Sequence, residues 1–199
     1  MKTLEIFWDV GSPYTYLAIK HLEQRWEEVG ERVRLRPFLI GGVFKGTGNS
    51  MPAAVPAKAA YMMRDLRRWA ERLEVPMRLP GEGTPFPINT LNPMRAAVAA
   101  GMEGKAMPFC LALFHAYWGE GRDVSELGVL TEIIGEAGLV PEALLEKAGS
   151  QEVKDTLRAT TGEAVERGAF GAPAIFVGES HYWGNDRLDM AIEELVRAE

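Results

Sequence analysis

The chain holds a single cysteine in 199 residues. Cys110 alone excludes an intrachain disulfide, a Cys-x-x-Cys redox pair and a cysteine-rich zinc site. Its neighbours Met107, Phe109, Leu111 and Leu113 are apolar, which predicts a buried helical thiol rather than a nucleophile. Histidine is almost as scarce: His21, His115 and His181 show no metal-ligand spacing with one another or with Asp and Glu, and no metal site is expected. No apolar run approaches the roughly 20 residues of a spanning helix, so no membrane association is expected. Repeats and low-complexity tracts are missing. Met1-Lys2 leads directly into an apolar run without a signal-peptide h-region, so the expected compartment is the cytoplasm.

What is present is ordinary for a globular enzyme-sized chain. Hydrophobic residues make up 47% and charged residues 25%, and the length suits one domain or one domain with a sizeable insertion. The net charge of -6 argues against a nucleic-acid partner, yet the charge is uneven. Residues 31–78 carry ten Lys or Arg against four acids, +6, which leaves -12 for the rest. Such a stretch is either a solvated helix face or an anion-attracting wall beside a pocket, and the wall suits a small carboxylate better than a polyanion.

The apolar run Leu4, Ile6, Phe7, Trp8, Val10 stops at Gly11-Ser12-Pro13, and a stripe with helical spacing follows at Tyr16, Leu17, Ile19, Leu22 and Trp26. This predicts a strand over 3–10, a tight turn and a helix over 14–29. RVRLRPFLI, 32–40, reads as a second strand, parallel to the first because a helix crosses between them. The glycine-rich GGVFKGTGNSMP reads as a loop, residues 53–168 as helices interrupted by the extended Pro-rich segment VPMRLPGEGTPFPINTLNP, and the carboxyl-terminal part as a strand (174–177), a short strand (181–183) and a helix opening at Asn185 or Asp186. One α/β sheet assembled from the two ends, with a helical insertion between them, accounts for this order.

Ser12 stands at an N-cap position and Pro13 at a first helical position, so the turn aims backbone N–H groups and a hydroxyl at one spot. A serine hydrolase is disfavoured, because no histidine is singled out as a base and the Gly-x-Ser-x-Gly elbow is missing. A helix N-terminus instead favours an anion, and a thiolate is one. With Cys110 elsewhere, that thiolate has to arrive on a cofactor; the other reading of Ser12-Pro13 is a plain helix cap. Pro173, just before the 174–177 strand, is a position where a cis bond would leave the backbone of Ala172 open to an extended peptide. Asp186, at the start of the last helix, suits an ammonium group. A helix end for a thiolate, an edge for a peptide and a second helix end for an amino-acid head group together describe glutathione.

FWDVGSPYTYLA and GAPAIFVGESHYWGNDRLDM resemble the 2-hydroxychromene-2-carboxylate isomerase family, which is close to kappa-class glutathione transferases and to thioredoxin-like bacterial disulfide oxidants. GGVFKGTGN, the spacing of Lys58, Tyr61, Asp65 and Arg68-Trp69-Ala70, and PFPINT extend the resemblance over almost the whole chain. It implies a discontinuous thioredoxin-like domain (1–45 and 160–199) with a helical insertion (46–159), commonly as a homodimer. It also implies a catalytic Ser12 at the place where disulfide-exchanging relatives keep a cysteine. Glutathione would contact Ser12, Asn49, Lys58, Ala172, Pro173, Asn185 and Asp186, and a small aromatic carboxylate substrate would contact Lys45 and Asn49. The loop around Phe86 and Asn89 carries no assigned role. The implied reaction is isomerisation of an arylidene pyruvate by reversible thiolate addition, bond rotation and elimination. A transferase or peroxidase using the same thiol, and a non-catalytic thioredoxin-like binding protein, are the rival readings; a disulfide oxidoreductase conflicts with Ser12 and the missing second cysteine.

Overall fold

The computed structural model describes residues 2–197; Met1, Ala198 and Glu199, the extremes of the expected terminal domain, lie outside the described residues. β1 (Leu4–Trp8) lies inside the sheet and is buried except at Glu5, which pairs with Arg36 and Arg167. It pairs in parallel with β2 (Val33–Pro37), from Leu4 opposite Val33 to Trp8 opposite Pro37. On its other side β3 (Ala174–Val177) runs antiparallel to it, and β4 (Ser180–Trp183) runs antiparallel to β3. The order is therefore β2-β1-β3-β4. Pro37, which lacks an N–H, sits on the edge strand, where a missing ladder bond does least harm.

The expected first helix is divided. α1 spans Pro13–Gln24, Arg25 leaves helical geometry (φ -109°, ψ 7°), and a short α2 spans Trp26–Val29. Trp26 folds over Gly30, where a Cβ would lie 2.5 Å from the indole. Farther along come α4 (Pro56–Leu73), α5 (Leu91–Met102), α6 (Ala106–Phe114), α7 (Leu127–Glu136), α8 (Pro141–Ala148), α9 (Gln151–Glu166) and α10 (Leu188–Arg197), as the helical middle and terminal helix led us to expect. The extended segment runs only to Thr90, since Pro93 belongs to the first turn of α5, where proline is tolerated.

The glycine-rich stretch overturns its loop reading: Ile40–Thr47 is a helix, α3. Its glycines serve close packing. A Cβ on Gly42 would meet Thr161 Cγ2 at 2.8 Å, and one on Gly46 would meet Val165 at 3.3 Å, so α3 can lie against α9 only without side chains there. Thr161 Oγ1 also accepts the Leu39 N–H at 3.0 Å, tying the start of α3 to α9. The domain cuts expected at 45/46 and 159/160 both fall inside these two helices.

Alternation along the strands sends Leu4, Ile6 and Trp8 to one face, packed with α1, α5, α6 and α10. Phe7, Phe176 and Phe38 fill the other face with Val43 of α3 and Ala164 of α9. Cys110 is buried within α6, and burial pushes its thiol up, which makes it inert. A π-helical turn, His115–Gly119, follows α6. Through it Trp118 Nε1 donates to Val10 O and the Tyr117 hydroxyl to Pro85 O, both at 2.7 Å, pinning the end of β1 and the long extended loop. Among the described residues no helix is long and apolar enough to cross a membrane.

Because Gly42 faces a 2.8 Å contact and Gly41 faces none within 4 Å, the two should respond oppositely to alanine. Gly42→Ala should lower stability in denaturant unfolding by about 1 to 3 kcal/mol through overpacking. Gly41→Ala should leave it unchanged or raise it by up to about 1 kcal/mol. Equal effects would contradict the packing role.

Candidate active site

The Gly-Ser-Pro turn caps α1 as its sequence indicates. Ser12 is extended (φ -97°, ψ 113°), its Oγ accepts the Thr15 N–H at 3.2 Å, and Pro13 is the first helical residue. The hydroxyl proton goes elsewhere: Ser12 Oγ donates to Ala172 O at 2.9 Å, joining residues 160 apart in sequence. The Ala172–Pro173 bond is cis. The N–H groups of Tyr14 and Ala172 have no partner among the described residues. Ser12, Tyr14 and Ala172 thus stand where the turn after β1 meets the segment before β3.

That point lies in the wall of a cavity of about 1050 Å³. Of the residues singled out in the sequence, Ser12, Asn49, Lys58, Ala172, Asn185 and Asp186 line it. Pro173 is buried directly behind Ala172. Lys45 is not in the wall. It is exposed on α3, one turn beyond Gly41, which does line the cavity. The basic stretch is likewise no continuous wall, since among its ten Lys and Arg only Lys58 lines the cavity. Arg36 pairs instead with Glu5 and Glu163, and Arg67 with Glu82.

The other polar groups differ in what they have left to offer. Asn49 Nδ2 already donates to Phe170 O at 2.7 Å, holding the loop after α3 against the segment before Ala172. Asn185 is buried, and its Nδ2 has no partner among the described residues. Asp186 is exposed and pairs with Arg187 at 2.7 Å. Gly184 precedes them with φ 101°, and a Cβ there would lie 2.7 Å from Asp186 Oδ1, so only glycine lets the carboxylate fold back over the chain.

A second wall was assigned in the sequence only at Lys58. On α4, Lys58, Tyr61, Met62, Asp65 and Trp69 recur every three or four residues and share the face toward the cavity. The Tyr14 hydroxyl donates to Asp65 Oδ2 at 3.0 Å and the Tyr61 hydroxyl to Oδ1 at 3.4 Å. Burial and the Asp65 carboxylate hold the Tyr14 phenol well above its ordinary range, so it stays a neutral donor. The spacing of Lys58, Tyr61, Asp65 and Trp69 was visible; its direction was not. Phe86, tilted against Trp118 at 5.9 Å between centroids, and Ile88 complete the apolar side.

Asp9 was missed altogether. It sits fully buried one residue past the end of β1. Its Oδ1 accepts the Gly11 N–H at 2.8 Å, and its Oδ2 accepts the Ile40 N–H at 2.9 Å and the Thr90 hydroxyl at 3.0 Å. One carboxyl therefore ties together the Ser12 turn, the start of α3 and the loop before α5, all three of which line the cavity. The available signal was a lone acid between Trp8 and Val10 in an apolar run.

Burial raises the Asp9 pKa from 3.8 to about 6, and the three hydrogen bonds only partly offset it. The folded state therefore holds this proton more tightly than the unfolded chain. Stability from this group is present at low pH and is lost as pH rises through 4 to 6, by about 3 kcal/mol in all. In urea unfolding, the stability difference between the wild type and Asp9→Asn, which cannot ionise, should shift against the wild type by about that amount from pH 4 to 7. A difference independent of pH would contradict the buried charge.

Comparison with known proteins places this geometry. Residues 3–196 match the DSBA-like thioredoxin domain family. A 2-hydroxychromene-2-carboxylate isomerase of Sphingobium xenophagum is 35% identical over 190 residues, covering 94% of this chain and 95% of the relative. A glutathione S-transferase kappa 1 of Rattus norvegicus is 32% identical over 200 residues, covering 95% and 88%. The solved structure of a 2-hydroxychromene-2-carboxylate isomerase superposes with a TM-score of 0.88 at 25% identity, over 98% of this chain and 95% of that one. A probable DsbA oxidoreductase from Streptomyces coelicolor shares the fold alone, with a TM-score of 0.77 at 18% identity over 100% of this chain and 90% of that one. The α/β fold is thus thioredoxin-like with a large helical insertion, and relatives that are isomerases and glutathione transferases support an enzyme. The chain belongs to the DSBA-like thioredoxin family, in the part of it that holds 2-hydroxychromene-2-carboxylate isomerases and kappa-class glutathione transferases.

Proposed function

We propose that the protein is a glutathione-dependent isomerase of an aromatic carboxylate of the 2-hydroxychromene-2-carboxylate or hydroxybenzylidene pyruvate type. The observation that carries this reading is that Ser12, bonded to Ala172 O, lines one aromatic-walled cavity together with Tyr14 and Ala172, whose N–H groups have no partner among the described residues. Those groups fit a peptide thiol. Ala172 N–H offers a backbone donor to an extended peptide, Asn185 keeps a buried unpartnered amide, and Asp186 offers a carboxylate to an ammonium group.

Glutathione when bound would supply the thiol that adds reversibly to the conjugated double bond, allowing rotation before elimination. Ser12 then redirects its proton from Ala172 O to the thiolate, exchanging a neutral hydrogen bond for a charge-assisted one. The N-terminus of α1 adds favourable potential at the same place. Lys58, the one lysine in the wall, takes over the role expected of Lys45: holding the substrate carboxylate and opposing the enolate charge. Tyr61, Trp69 and Phe86 hold the aromatic ring and exclude water. A cytoplasmic location and a homodimer belong to the same proposal. A kappa-class-like transferase or peroxidase would use the same Ser12 end with a different electrophile.

Calorimetry tests the assignment. Reduced glutathione should bind clearly more tightly than its S-methyl form, and the protein should interconvert 2-hydroxychromene-2-carboxylate and its open-chain isomer. Binding of neither would overturn the reading; thiol binding with conjugation but no isomerisation would favour the transferase. Ser12→Ala should abolish most turnover yet keep glutathione binding, and unchanged turnover would remove Ser12 from the chemistry. Asp186→Ala should raise the glutathione dissociation constant by about tenfold, equivalent to about 1.4 kcal/mol, a modest loss for an exposed charge already shared with Arg187. An unaltered constant would remove that contact.

A further inference from the structure

A thiol that binds as a thiolate at neutral pH gives up a proton, and the cavity wall contains no histidine or cysteine to take it. Asp65 already accepts two phenols, and Asp186 is paired with Arg187. One further carboxyl lies behind the wall. Thr90 lines the cavity, and its hydroxyl donates to Asp9 Oδ2 at 3.0 Å. Its methyl lies 3.2 Å from where a Cβ on Gly11 would be, so Thr90 stands against the turn just before Ser12.

We propose that Asp9, acting through the Thr90 hydroxyl, stores the proton that a thiol loses when it is held at Ser12. The inference rests on the glutathione reading above. In the step, the S–H bond breaks and its electron pair stays on sulfur. Thr90 Oγ1 receives that proton while passing its own to Asp9 Oδ2, and elimination runs the transfer backwards. No oxidant or reductant is involved.

The physical drive is like-charge exclusion. Two anions in one desolvated site cannot both remain ionised without a large penalty, so the arriving thiolate forces the carboxyl to neutralise. Asp9 is suited to this because burial has already raised its pKa to about 6, leaving it ionised but ready to accept at pH 7. Gly11 and Ile40 present amides to it and Thr90 a hydroxyl. The π-helical turn brings Tyr117, whose phenol is held above its ordinary range by burial first and by the Asp123 and Asp9 charges after it, and is hence neutral.

The test counts protons. Calorimetry with reduced glutathione at pH 7, in buffers of differing ionisation enthalpy, should give a net release well below one proton for the wild type. Asp9→Asn, with no store, should release about one. Should that variant fail to fold, carboxyl-carbon NMR on the wild type answers alone. Reduced glutathione should move the Asp9 resonance to its protonated position, and the S-methyl form should leave it in place. Thr90→Val should slow turnover and Thr90→Ser restore it. Glutathione binding with release of a full proton and an unmoved Asp9 resonance would overturn the store while leaving the glutathione reading intact. Failure of glutathione to bind at all would overturn both.

Discussion

The hydrogen bond from Ser12 to Ala172 O is the contact on which the rest of the site depends. It joins the turn after β1 to the segment before β3, and it exists because those strands pair antiparallel, with Phe7 opposite Ala174. The pairing brings both ends of the chain into one sheet and leaves the whole helical middle to close over their junction. Neither end contains a site alone. The Ser12 turn provides the helix end and the hydroxyl; the Ala172 segment provides the edge.

Around that contact the protein holds three other segments in place with few polar groups. Asp9 ties the start of α3 and the Thr90 loop to the turn, Asn49 ties the end of α3 to Phe170, and the π-helical turn anchors Val10 and Pro85. Burying an ionisable carboxyl is costly, and its raised pKa measures how far three hydrogen bonds fall short of bulk water. Replacing it with an apolar residue would leave the Gly11 and Ile40 amides without partners. The cost is therefore local, at the site, where a group of this kind also has chemistry available to it.

The sheet was readable because β1 and β3 are dense apolar runs bounded by Gly and Pro, and the cap was readable because Ser-Pro has one good place at a helix start. The Ser12, Ala172, Asn185 and Asp186 neighbourhood followed from those two signals and from the resemblance they carry. α3 was misread for a physical reason. Glycine at Gly42 and Gly46 looks like conformational freedom in one dimension but is clearance for α9 in three. Lys45 lies on the same helix, one turn beyond the part that lines the cavity. Asp9 had no partner visible in sequence, since its donors at Gly11, Ile40 and Thr90 are scattered over 80 positions and two of them are backbone amides.

The central claim is that the Ser12 turn stabilises a thiolate, and ultraviolet difference absorbance reads it directly. On titrating the protein with reduced glutathione at pH 7, a thiolate band should grow to saturation with the wild type and stay largely undeveloped with Ser12→Ala, although both bind. A band of equal size in both proteins, or binding by the wild type with no thiolate band, would contradict the account.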